Sequence, residues 1–129
     1  MSIKVVDIIV ERKGKILLIK RGDFWIIPGG EMEPGEDEMQ CLEGVVSREI
    51  KDQVSTVFRK LERTIKGPSP VRAGDVEVSL YVGDIGSKKM SDVTDCNAHW
   101  FSRESLPSIR LSNITKDVLE YYFAEYEGV

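Results

Sequence analysis

Cysteine and histidine are scarce in this chain: Cys41, Cys96 and a single histidine, His99. The two cysteines have no metal-ligand spacing, so packed or idle thiols are expected and not a redox pair. Long hydrophobic runs are absent as well. The opening stretch MSIKVVDIIVERKGK is an apolar patch interrupted by charge, too short for a signal peptide, and no other run approaches membrane-spanning length; a cytoplasmic protein with no membrane partner is expected. Runs of like charge are missing and the formal net charge is −4. That balance argues against a nucleic acid polymer as partner and is compatible with a small anionic ligand held through a metal. There is no internal repeat and no low-complexity tract.

What is present suits one domain. At 129 residues the chain has the length and apolar content to bury a real core, so a single globular unit over residues 1–129 is expected. VVDIIVERKGKILLIKR reads as two strands rich in Val, Ile and Leu, linked by a charged segment ending in Gly14, as in a hairpin. FWIIPGGEMEPGE then breaks regular structure with Pro28, Gly29, Gly30, Pro34 and Gly35, giving a loop whose backbone can approach a ligand closely. Over residues 37–54, Met39, Leu42, Val45, Val46 and Ile50 recur at helical spacing, with Glu36 and Asp37 at the dipole-favoured start. Gly44 inside this helix costs about 1 kcal/mol relative to Ala, a cost accepted where something must pack closely. STVFRKLERTIKG and VEVSLYVGDIG are β-rich and are joined by GPSPVRAG, expected to be a mobile loop. AHWFSRESLP reads as a short strand and a turn. NITKDVLEYYFAEY closes the chain as a helix, with Asn113 as N-cap and Ile114, Val118, Leu119, Tyr122 and Phe123 along one stripe.

Taken together, the hairpin ending in Arg21, the glycine loop, the helix carrying Arg48-Glu49-Ile50 and the late HWFSRESLP resemble the Nudix (MutT-like) hydrolases over nearly the whole chain. That family's motif runs Gly, five residues, Glu, seven residues, then Arg-Glu-aliphatic-x-Glu-Glu-x-Gly-aliphatic. Gly30 and Glu36 match its first half. Counting on without a gap puts Gly44 and Val45 where Arg-Glu belongs, and places Arg48 and Glu49 over the later glutamate pair. Allowing four extra residues lays Arg48, Glu49 and Ile50 on the motif outright, with Asp52 and Gln53 replacing the two glutamates and Ser55 the glycine. The second register is preferred. On a continuous helix Glu49, Asp52 and Gln53 sit at i, i+3 and i+4, which gathers oxygen donors on one face, as a hard cation requires.

The resemblance implies an α/β/α sandwich with a mixed sheet between the two helices. It implies hydrolysis of the diphosphate linkage of a nucleoside diphosphate derivative, using Mg²⁺ or Mn²⁺. Glu49 and Asp52 are the catalytic candidates. Gly29 (through its carbonyl), Glu36, Glu49, Asp52 and Gln53 are the metal candidates, and Arg21, Trp25 and Gly30 the substrate-binding ones. Glu49 falls within the apolar stripe of its helix, where a lone carboxylate wants a partner or a metal. Arg21 can offer a phosphate its bidentate fork, and Arg48 can orient a carboxylate. Trp25 and Phe24 either stack on a base or fill the core. His99 is expected to be an ordinary strand residue, though it, Asp92 or Asp95 stands where some family members carry a further acidic ligand. Gln53, neutral in an acidic position, weakens the site and keeps a second reading open: a silent Nudix fold that binds a nucleotide or protein partner. A homodimer is compatible with either.

Overall fold

The computed structural model describes residues 3–50, 58–83 and 97–125. The opening hairpin forms as its sequence predicts. β1 (Ile3–Arg12) and β2 (Lys15–Arg21) are antiparallel and joined by Lys13 and Gly14, at φ 53° and 75°. Two successive positive φ angles match the right-handed twist of the flanking strands, and Gly14 adopts its angle without a side-chain penalty.

β1 is the hub of a mixed sheet. Further along, β3 (Phe24–Ile26) pairs with β2, and β4 (Gly29–Glu31) pairs antiparallel with β1. The stretch read from sequence as one glycine loop thus contains two short strands; Gly29 fits because β4 passes close to β1, where a Cβ would collide with Asp7. β5 (Arg59–Lys60) and β6 (Ile65–Pro68) both lie antiparallel to β7 (Asp75–Gly83), which runs parallel to β1 from Ile3↔Val76 to Val10↔Gly83. β8 (Ala98–Ser102) completes the sheet against β2, and a 3₁₀ stretch (Arg103–Ser108) follows it.

Alternation along β1 divides the core into two layers. Val6, Ile8 and Val10 pack with Leu42 and Val45 of α1 (Glu38–Val45), while Ile9 and its side of the sheet pack with Val118, Leu119 and Tyr122 of α2 (Asn113–Glu125). A mixed sheet between helices is the sandwich expected.

Two helix details depart from expectation. The segment read as a single α-helix is α-helical only to Val45 and continues as a π-helical turn, Val46–Ile50. A π turn takes more residues per revolution, which swings Arg48 and Glu49 to a different bearing from the one a uniform α-helix would give. At α2 the cap is Ser112 and not Asn113. The Thr115 amide donates to Ser112 Oγ at 3.3 Å and the Lys116 amide to the Ser112 carbonyl at 3.0 Å. Asn113 already lies within the helix. The segment 69–74, expected to be mobile, is tied down: Ser69 Oγ accepts from the amides of Val71 and Arg72, and Arg72 pairs with Glu31 at 3.0 Å. Asp52, Gln53, Ser55, Asp92, Asp95 and Cys96 lie outside the described residues.

Candidate functional site

The glycines of β4 present their two faces to different functional groups. A Cβ on Gly30 would stand 2.9 Å from Arg48 Nη2 and 3.2 Å from Val45, on the α1 side; a Cβ on Gly44 would stand 3.1 Å from Arg48 Nη1. Arg48 therefore lies across two glycines, one in the strand and one in the helix. The close packing expected of Gly44 is supplied by this guanidinium. A Cβ on Gly29 points the other way, where it would overlap the Asp7 carboxylate and come within 2.9 Å of the Val6 carbonyl oxygen.

Glu49 is half-buried and forms an ion pair with Arg21, whose Nη2 donates to Glu49 Oε1. The partner that a carboxylate on a packing face requires is thus the strand-end arginine from β2, 28 positions away in sequence. Arg21 also lines a cavity of about 150 Å³ together with Gly29, Gly30 and Asp7. Val45, which the ungapped register would place at the motif's glutamate, is wholly buried in the α1-side core and has no side-chain donor.

Glu36 ends the turn begun at Glu33. Its amide donates to the Glu33 carbonyl at 3.0 Å, and Pro34 followed by Gly35 at φ 81° makes this a type II turn. Its carboxylate accepts the Glu33 amide at 3.0 Å and lies near Cys41. Burial first, and then the Glu36 charge, push the Cys41 thiol up to about 11, so Cys41 stays a protonated packing residue, donating to the Gly30 carbonyl at 3.5 Å. Asp37 caps α1, accepting from the Gln40 amide at 2.8 Å while Gln40 Oε1 accepts from the Asp37 amide at 2.9 Å, a reciprocal capping box.

Trp25 does not share this cavity. It stands edge-on to Phe101 and His99, with ring centroids 4.8 and 5.5 Å away, and its amide donates to the Arg110 carbonyl. Phe24 lies under Arg110 at 5.1 Å. His99 is an exposed strand residue.

Two groups were not singled out from the sequence. Glu38, in the first turn of α1, accepts from Tyr81 OH at 2.7 Å and Ser79 Oγ at 2.9 Å and pairs with Lys60 at 2.8 Å, which pins the helix to β7 and β5. Burial raises the Glu38 pKa, but Lys60, Tyr81 and Ser79 together outweigh it and the net shift is downward. Asp7 is the second. It occupies the middle of β1, between Gly29 of β4 and Leu80 of β7, and burial holds its carboxyl well above the usual range. It keeps partial exposure through the cavity that it lines. An acidic residue in the otherwise apolar VVDIIV was the available signal.

Among the described residues no three acidic, histidine or cysteine side chains converge as a metal cluster. Glu36, Glu49 and the Gly29 carbonyl are each oxygen donors of the kind a hard divalent ion takes, with Glu49 engaged by Arg21 and Glu36 accepting from the Glu33 amide. Among the described residues no helix is long and apolar enough to cross a membrane.

Comparison with known proteins agrees with this architecture. The NUDIX domain model matches residues 1–122. The human 8-oxo-dGDP phosphatase NUDT18 is 32% identical over 117 residues, an alignment covering 81% of this chain and 33% of that protein, so the chain spans about a third of that relative's length. A NUDIX hydrolase from Nitrosomonas europaea superposes with a TM-score of 0.71 at 20% identity over 100% of both chains. The C-terminal domain of mouse MUTYH, solved in complex with human PCNA, gives 0.74 at 16% identity, covering 100% of this chain and 92% of that one.

Proposed function

Because this chain belongs to the Nudix family by its domain match over residues 1–122, we propose that it is a pyrophosphohydrolase that cleaves the diphosphate linkage of a nucleoside diphosphate derivative. The observation that carries the reading is the Arg21–Glu49 pair beside the β4 glycines, with Arg48 across Gly30. It favours the register with four extra residues, in which Arg48-Glu49 is the motif's Arg-Glu. The human relative's activity as an 8-oxo-dGDP phosphatase, on a nucleoside diphosphate, supports the same substrate class.

In this mechanism the diphosphate lies beside the Arg21–Glu49 pair. Arg21 holds the Glu49 carboxylate in place and, with substrate present, shares its planar fork with a phosphate oxygen. Water attacks phosphorus, the bond to the bridging oxygen breaks, and Glu49 or Asp52 takes the water's proton. Glu49, Asp52, Gln53, Glu36 and the Gly29 carbonyl are the residues that would hold Mg²⁺ or Mn²⁺, which when bound neutralises the diphosphate and makes water a better nucleophile. Arg48 is a positioning residue, kept on its bearing by Gly30 and Gly44.

The second reading, a silent binder of a nucleotide or protein, draws on Glu49 being already engaged by Arg21 and on the neutral Gln53. Release of phosphate or nucleotide from a panel of diphosphate-linked compounds, 8-oxo-dGDP included, decides between them. The hydrolase reading expects turnover that requires Mg²⁺ or Mn²⁺ and falls by about two orders of magnitude or more in Glu49→Gln, the scale of losing a catalytic acid or base. Ligand binding without turnover, indifferent to that substitution, would favour the silent fold.

A further inference from the structure

Asp7 presents a physical problem that the hydrolytic site does not solve. Its carboxyl sits on the central strand of the sheet and makes no hydrogen bond or ion pair with any described residue. An unpartnered carboxyl on a largely apolar wall, only partly open to solvent, opposes folding, and such groups are commonly paired, coordinated or held for use. Room has also been made for it: Gly29, its neighbour in the β1–β4 ladder, has no Cβ, and any Cβ there would overlap the carboxylate. The space above it is the cavity of about 150 Å³, a size at which a protein interior accepts an aromatic ring.

Much of that cavity's wall is apolar, with Arg21, Glu31, Ser69 and Thr115 as polar members beside Asp7. Ile27, Val76, Val78 and Ile114 line it, and Pro70 and Val71 stand at its rim. Val71 is 56% exposed, a large apolar side chain left open to solvent beside a pocket mouth. Arg21 belongs to the same lining and also grips Glu49, so the cavity and the proposed diphosphate site share a wall. A ligand with its diphosphate at Glu49 would place whatever it carries on the far side of Arg21 into a slot with two carboxyl groups, of which Glu31 is already paired with Arg72 at 3.0 Å and Asp7 is not paired with any described residue.

We propose that Asp7 reads the base of the substrate, its two oxygens accepting side by side from the ring N–H and exocyclic amino group of a guanine-type edge. Burial favours protonated Asp7 in the free protein, whereas paired N–H donors of a ligand favour its ionised form; a carboxylate only accepts hydrogen bonds, and paired acceptors are best met by paired donors, as in its bidentate pairing with arginine. Among the common bases the guanine edge offers two adjacent N–H donors; the adenine edge sets an acceptor beside its amino group. The apolar walls take the faces of the ring. This inference rests on the hydrolase reading for the placement of the diphosphate, and its test avoids turnover so that the two can fail separately.

The measurement is calorimetric titration, without divalent metal, of the native protein and of Asp7→Asn and Asp7→Leu with GMP, 1-methyl-GMP and AMP. The native protein is expected to bind GMP about tenfold or more tightly over both others, the scale of one charge-assisted hydrogen bond, and Asp7→Leu to bring the three within about twofold. Both variants are expected to melt several degrees above the native protein, since each removes an unpartnered buried carboxyl. Failure to bind GMP, an unchanged base preference in Asp7→Leu, or a lower melting temperature in Asp7→Asn overturns the inference. Asp7-dependent selection of GMP in a protein that hydrolyses nothing would retain it and overturn the hydrolase reading alone. Turnover whose base preference ignores Asp7 would do the reverse.

Discussion

Gly44 is costly where it stands, inside α1, and the cost traces to one guanidinium. Replacing it with alanine recovers about 1 kcal/mol of helix propensity. The new Cβ lies 3.1 Å from Arg48 Nη1, the far end of an exposed and flexible side chain, so Arg48 moves aside at little expense. Gly44→Ala is therefore expected to raise the melting temperature by a few degrees while lowering hydrolytic activity, because the displaced Arg48 loses its bearing on Gly30. A thermal melt and an activity assay on one preparation check both halves. Gly29→Ala should behave oppositely, destabilising by about 1–3 kcal/mol in denaturant titration, since its Cβ meets the Asp7 carboxylate and a main-chain oxygen that cannot swing away. At this scale the sequence was informative about Arg48 and Glu49, because a motif names residue types in order. It was less informative about Trp25, whose aromatic ring suits a base and a core equally well, and which stands half-buried beside Phe101 and His99.

At the scale of elements, α1 is fastened at its start by Glu38. Tyr81 and Ser79 donate to it, and its loss leaves two hydroxyls of β7 without their acceptor. Glu38→Ala is expected to cost about 1–3 kcal/mol, measured by denaturant titration. The pH dependence has two sides. Glu38 is lowered from 4.5, so its contribution is complete above that value and is lost as pH falls through the lower folded value. Burial first, with the Glu38 hydrogen bond, raises Tyr81 from 10.0 to about 12; the folded state holds that proton longer, so stability is complete below pH 10.0 and declines as pH rises towards 12. The alkaline decline should vanish in Tyr81→Phe. At α2, Ser112→Ala should cost about 1 kcal/mol as a lost cap, and Asn113→Ala much less. Helix existence and apolar stripes were legible from periodicity, whereas the exchange of α for π geometry at Val46 was not. Periodicity over so few residues does not separate the two, and the turn is set by where Arg48 and Glu49 find partners across the fold.

For the molecule as a whole, the two cores on opposite faces of the sheet are separate packing problems joined by β1. Leu42→Ala on one face and Val118→Ala on the other should each destabilise by about 2–5 kcal/mol or somewhat less for valine, and the double variant should equal their sum within about 0.5 kcal/mol. Strong coupling in that cycle would mean that the faces do not act independently. Mixed α/β order was legible from the strand and helix patterns, and the sandwich from the resemblance to the Nudix family; the pairing of β1 with β7 was not legible locally, since nothing local marks two strands some seventy positions apart as neighbours. That parallel ladder also governs the order of assembly. β1 is synthesised before β7, and its eight-pair partner is complete only at Gly83. Until then one flank of a strongly apolar strand is an open template, and non-local pairing of this kind forms slowly. A nascent or truncated chain ending before Asp75 should consequently aggregate and engage chaperones, so that the protein's yield in the cell depends on how quickly its second half arrives.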